Sequence, residues 1–118
     1  MTTKERLVKA IIKGIQAKKG QQIVVIDLSG IDGAICNYFI IATGTSPTQV
    51  EAITESVEET TRLDESERPV RTVGLENAHW VAMDYTDAMV HIFLPEERDF
   101  YNLEGLWADA KMEKIADE

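Results

Sequence analysis

His79-Trp80-Val81-Ala82-Met83-Asp84-Tyr85-Thr86-Asp87-Ala88-Met89-Val90-His91-Ile92-Phe93-Leu94-Pro95 is the stretch around which the rest of the chain can be organised. Val81, Met83 and Tyr85 alternate with Trp80, Ala82 and Asp84, the period-two pattern of a strand with two chemically different faces. Ala88 to Leu94 reads as a second strand, with His91 on the opposite face to Val90 and Ile92, and Pro95 ends it. Thr86-Asp87 between them is short enough for a hairpin turn, although neither residue is Gly or Asn.

Upstream, Val70 to Gly74 predicts a further strand, preceded by the polar loop Asp64 to Pro69. Before that loop, Gly44-Thr45-Ser46-Pro47 opens a helix. Ser46 is placed to cap it, Pro47 suits the first helical position, Gln49 supplies the third position of a capping box, and Val50, Ile53 and Val57 form the apolar face. Tyr38 to Ala42 and Ile23 to Ile26 are short, continuous apolar runs, the mark of strands buried on both faces, with a Gly/Asp-rich turn from Asp27 to Gly33 between them. Residues 3–18 repeat apolar side chains at helical spacing (Leu7, Val8, Ile11, Ile12, Ile15), behind a Thr2/Glu5 capping box and ahead of Gly20. Downstream, Glu96 to Phe100 predicts a short helix and Leu103 to Trp107 a further turn. The order implies an α/β (α+β) fold, with a mixed sheet of about five strands flanked by helices. It is read as a single domain over 1–110, and residues 111–118 as a polar, frayed C-terminal tail.

Composition narrows the function classes. With 118 residues and 44% apolar content, the chain can bury a core without staples. One cysteine, Cys36, excludes an intrachain disulfide, and with two histidines it cannot complete a Cys/His zinc cage. Cys36 lies in an apolar stretch and reads as a small hydrophobe, which fits a reducing, cytoplasmic home. No apolar run approaches the roughly 20 residues that span a bilayer, and Glu5 interrupts the N-terminal lysines that a transit peptide would need. The net charge of −9 is uneven: residues 1–50 carry six Lys/Arg and three Asp/Glu, and residues 51–118 carry six and eighteen. An acidic body repels phosphate backbones and attracts a basic protein, so extensive nucleic-acid binding is not expected.

Few residues form a plausible catalytic set. Gly44 and Ser46 stand at a helix start, where nucleotidyltransferases hold phosphate. The carboxylates that such a site needs would be Asp84 and Asp87, spaced i, i+3 across a turn rather than i, i+2 along one face. Gly44 and Ser46 are therefore read as turn and cap, and no metal site or cofactor is expected. His79 and His91 read as satisfied or surface histidines, with no nucleophile elbow near them.

The aromatic cluster is more informative. Trp80, Tyr85, Arg98, Phe100, Tyr101 and Trp107 fall within 28 residues, and Trp, Tyr and Arg dominate protein–protein hot spots. From spacing, Phe100 and Trp107 are expected to turn inward, and Trp80 and Tyr85 outward.

Three ordered blocks also carry a resemblance: residues 79–95 above, Arg98-Asp99-Phe100-Tyr101-Asn102-Leu103-Glu104-Gly105-Leu106-Trp107, and Asn37-Tyr38-Phe39-Ile40-Ile41-Ala42-Thr43-Gly44-Thr45-Ser46. Together they resemble the ribosomal silencing factor family, also called the Iojap family, over about residues 5–108. The resemblance implies a nucleotidyltransferase-like fold without catalytic residues. It implies binding to large-subunit ribosomal protein fourteen at a bridge to the small subunit, which blocks subunit joining and represses translation when nutrients are short. Homodimers are also implied. Matched position by position, the partner-binding residues would be Trp80, Asp84, Tyr85, Arg98, Tyr101, Leu103 and Trp107. Asn37, Val73 and Thr86 depart from the family's usual Asp, Glu and Gly. A divergent nucleotidyltransferase and a large-subunit assembly factor are the alternative readings.

Overall fold

A computed structural model describes residues 2–117. The elements are α1 (Thr3–Ala17), β1 (Gln21–Asp27), β2 (Tyr38–Thr43), α2 (Pro47–Glu65), β3 (Arg71–Val73), β4 (Trp80–Asp84), β5 (Ala88–Phe93), α3 (Pro95–Tyr101), α4 (Leu103–Leu106) and β6 (Lys111–Ile115). The strands form a mixed six-stranded sheet in the order β3-β4-β5-β2-β1-β6. β2 and β5 run parallel at its centre, and the other neighbouring pairs are antiparallel. The architecture is α+β.

Helices α1 and α2 cover one face of the sheet. Leu7, Ile11 and Ile15 from α1 and Val50, Ile53 and Val57 from α2 pack with Ile40, Val81, Met83, Val90 and Ile92 in the main core. The two helices approach closely at Gly14: a Cβ there would stand 2.7 Å from the Val57 Cα, and Ser56 Oγ donates to the Gly14 carbonyl at 2.7 Å. On the opposite face Val24, Ile26, Phe39, Ile41 and Phe93 form a second core, covered by the loop after β1 and by Leu103 and Trp107. The central strands are thus buried on both sides, which is why β1 and β2 are continuously apolar.

The helix starts follow the local chemistry. Thr2 and Glu5 make both bonds of a capping box. Ser46 Oγ accepts from Gln49 N at 3.1 Å. The expected reciprocal bond is displaced by one residue: Gln49 Oε1 accepts from Thr45 N at 2.6 Å, while its amide donates to the carbonyls of Lys18 and Lys19. Gln49 therefore ties the α2 entrance to the α1 exit.

One expectation is corrected. The sheet has six strands rather than five, because residues 111–115 pair antiparallel with β1 instead of fraying. Four of the five β6 residues are exposed, so the strand carries little apolar pattern, and its backbone bonds to β1 define it. Leu103 to Leu106 is a helical turn, started by Asn102, whose side chain accepts from Gly105 N. Asn102 also ends α3 in the left-handed region at φ 45°.

Candidate docking face

Period-two alternation decides which side chains reach the second face. On β4 it sends Trp80, Ala82 and Asp84 there, and Val81 and Met83 toward α2. Tyr85 follows Val81 and Met83. It is 3% exposed, and its Oη lies 2.9 Å from Thr61 Oγ1 on α2. The expected outward Tyr85 is thus corrected. Burial pushes its phenol up to about 12. The inward placing of Phe100 is corrected too, since its ring is 81% exposed. On a seven-residue helix, Arg98 takes the inward position, and Phe100, two residues on, points away from it.

Arg98 is a buried tie. Its guanidinium donates to the Gln22 carbonyl, to Thr43 Oγ1 at 2.8 Å and to Glu104 Oε2 at 2.9 Å. Gln22 stands at an irregularity in the β1–β2 register, with φ 52°. One side chain thereby locks α3 and α4 onto the ends of β1 and β2.

The remaining residues form a chain of rings. Trp80 stacks on Phe93 with centroids 5.0 Å apart and meets Tyr101 at 4.5 Å. Its Nε1 donates to His91 Nδ1 at 3.1 Å. His91 lies 4.7 Å from Phe39, which meets Trp107 edge-on at 6.0 Å. Trp80 and Trp107 are half-buried, Tyr101 is exposed, and Leu103 packs beside Trp107 over the second core. Asp84 shares the face with Trp80 but stands four residues along β4, about 13 Å away at strand rise. Its Oδ1 accepts from Thr86 N at 2.8 Å, closing the hairpin. Glu96 and Asp99 on α3 and Asp109 after α4 are exposed carboxylates.

Phe39, His91 and Phe93 were not among the expected site residues. Their positions on the same face as Trp80 follow from the β2–β5 and β4–β5 registers, which the sequence alone does not supply. Burial drives the His91 imidazole down to about 4, so it is neutral near pH 7. Burial also pushes the Cys36 thiol up, which matches its packing against the second core.

The nucleotidyltransferase constellation does not assemble. Gly44 lies at the Phe93 end of β5, its N–H donating to the Phe93 carbonyl at 2.9 Å. Asp84 and Asp87 flank the other end of that strand. The six residues of β5 separate the two by about 17 Å. Among the described residues, no group of three or more His, Cys, Asp or Glu could hold a metal. No helix among them is long and apolar enough to cross a membrane.

The second face of this α+β domain is thus an aromatic one, and the carboxylates of the candidate nucleotidyltransferase site stand apart from Gly44 and Ser46. The profile of the family described as "ribosomal silencing factor during starvation" matches residues 1–118. A ribosomal silencing factor of Bacillus subtilis is 38% identical over 96 residues, covering 80% of this chain and 79% of that protein. One from Halalkalibacterium halodurans is 35% identical over 106 residues, covering 90% and 89%. A crystal structure of a Chromobacterium violaceum protein superposes with a TM-score of 0.84 at 31% identity, covering 99% of this chain and 96% of that one. The chain belongs to the ribosomal silencing factor family, whose members are not enzymes.

Proposed function

We propose that the protein docks on the large ribosomal subunit through ribosomal protein fourteen, keeps the small subunit from joining, and so represses translation in the cytoplasm. The observation that carries this reading is the aromatic face centred on Trp80 and Tyr101, in a chain of net charge −9. Large, half-buried rings are effective anchors because they already lie in place and bury much area on contact. The net negative charge suits a basic ribosomal protein and disfavours ribosomal RNA.

Within this reading the seven candidate residues divide by role. Trp80, Tyr101, Leu103 and Trp107 supply contact area, and Asp84 supplies charge at the hairpin end. Tyr85 and Arg98 act beneath the surface by holding the hairpin and the α3–α4 segment. A homodimer formed through the same face would compete with the ribosome for it. The nucleotidyltransferase-like character is then a matter of scaffold ancestry only.

The test is co-sedimentation with isolated large subunits, followed by short-arm crosslinking to identify the protein contacted. Crosslinks to protein fourteen are expected. Crosslinks only to RNA or to a distant protein would refute the assigned contact.

A further inference from the structure

Two rings on this face carry a buried nitrogen without a hydrogen-bond partner among the described residues, Trp107 through Nε1 and His91 through Nε2, and of the two only His91 holds another ring of the face through its second nitrogen. It lies diagonal to Trp80 across the β4–β5 pair, because Ala82 opposes His91 and Trp80 opposes Phe93. It is 4% exposed and so offers almost no surface to a partner. Its Nδ1 accepts from the Trp80 indole, which puts its own proton on Nε2. Nε2 is buried, with no hydrogen-bond partner among the described residues. A buried imidazole costs more than a phenylalanine or leucine at the same place, since it leaves a polar atom unpaired. Its one polar contact is to the ring at the centre of the docking face.

We infer that His91 is a positioning residue: it fixes the Trp80 indole in the orientation that meets the partner. A half-buried indole stacked on Phe93 could slide or flip over that ring, because stacking is tolerant of rotation in the plane. The Nε1–Nδ1 bond selects one orientation, and in it the ring lies against Tyr101. The neutral imidazole is a standing acceptor near pH 7. Fixing the ring before contact removes an ordering cost from binding.

The inference rests on the docking reading of this face, and the experiment separates the two. Asparagine carries its amide oxygen at the position of Nδ1, whereas glutamine places its amide one carbon further out and leaves that position without an acceptor. Binding of His91→Asn, His91→Gln and His91→Leu to isolated large subunits is compared with the unchanged chain. In parallel, the Trp80 indole N–H resonance is followed by NMR and assigned against Trp107→Phe. Expected are binding within about threefold for Asn and about tenfold weaker binding for Gln and Leu, the loss of one hydrogen bond's worth of ordering. The indole N–H should shift upfield and exchange faster in Gln and Leu only. In a Trp80→Phe background, where no indole N–H exists, the three substitutions should have equal effects on binding. If the unchanged chain binds and the folded Gln or Leu variants bind equally well, the positioning role is overturned while the docking reading stands. If the unchanged chain does not bind, both fall. Should Leu not fold, the Asn and Gln pair decides alone.

Discussion

Tyr85 and Thr61 are joined by a buried 2.9 Å contact between their hydroxyls, and it anchors the β4–β5 hairpin to α2. Thr61 Oγ1 also reaches the Glu58 carbonyl at 3.2 Å, so it donates there and accepts from the tyrosine. Tyr85→Phe is therefore expected to cost about 1 kcal/mol of stability, the net worth of one hydrogen bond. Urea unfolding measures this. Large-subunit affinity should stay within about twofold, because the ring does not reach the docking face. A tenfold loss of affinity with stability intact would return Tyr85 to the contact surface.

Asp84, the neighbour of Tyr85, points the other way and spends one oxygen on Thr86 N. A lysine there would remove the hairpin contact along with the charge. Asp84→Asn keeps an acceptor and removes only the charge. We expect it to slow association with the large subunit and to weaken the salt dependence of binding, with Tm nearly unchanged.

Thr86 sits at φ 74°, with Asp87 N donating to the Tyr85 carbonyl at 2.9 Å, a tight three-residue turn of the rare hand. A β-branched residue is strained there, and glycine is not. Thr86→Gly is expected to raise stability by about 0.5–1 kcal/mol, strain relief less the added chain entropy. The check is a higher urea midpoint at unchanged slope. A lower midpoint would mean that the threonine side chain contributes more than its backbone strain costs.

His91 makes stability depend on pH. Its folded value of about 4 lies below the ordinary 6.5, so between those values the unfolded chain binds a proton that the folded one does not. Stability is complete above about 6.5, falls as the pH drops toward 4, and levels off below. The full difference is at most about 3 kcal/mol. Carboxylates titrate in the lower part of this window, so the informative quantity is the difference between the unchanged chain and His91→Asn. The variant should lose the part of the slope that lies above pH 5. Parallel curves would show that His91 does not titrate as its burial demands.

Much of the fold was legible because its signals are local or periodic. The Thr2/Glu5 box, the Ser46 cap, the apolar stripes of α1 and α2 and the continuous runs of β1 and β2 each reflect one element's own packing. β6 was not legible, because an exposed edge strand is defined by its neighbour's backbone and needs no apolar pattern of its own. Of the candidate residues, Trp80, Tyr101, Leu103 and Trp107 are accessible or half-buried on one face; the spacing pointed Trp80 outward and Trp107 inward, and Trp107 packs half-buried over the second core. Tyr85 was misplaced although its own alternation with Val81 and Met83 points inward, and Phe100 because a helix this short has room for one inward residue, which Arg98 fills. The His91 contact depends on the β4–β5 register, information that no single strand carries.

β6 covers the outer edge of β1. A chain ending at residue 110 would lose the Ile115 contact with the main core and expose the outer edge of β1, whose Ile23 to Ile26 run is apolar. An open, apolar edge recruits other strands. Light scattering should show that this truncation aggregates at concentrations where the full chain does not. A monodisperse truncated protein of unchanged Tm would mean that Lys111–Ile115 contributes nothing to the sheet.

The claim that the aromatic face blocks subunit joining is tested most directly by mixing purified small and large subunits and following their association by light scattering. The full chain is expected to suppress joining when added to the large subunit first. Trp80→Ala should need at least about 30-fold more protein for the same effect, the cost of removing a hot-spot anchor of about 2 kcal/mol. Undiminished joining with the full chain, or equal suppression by the folded alanine variant, would contradict the account.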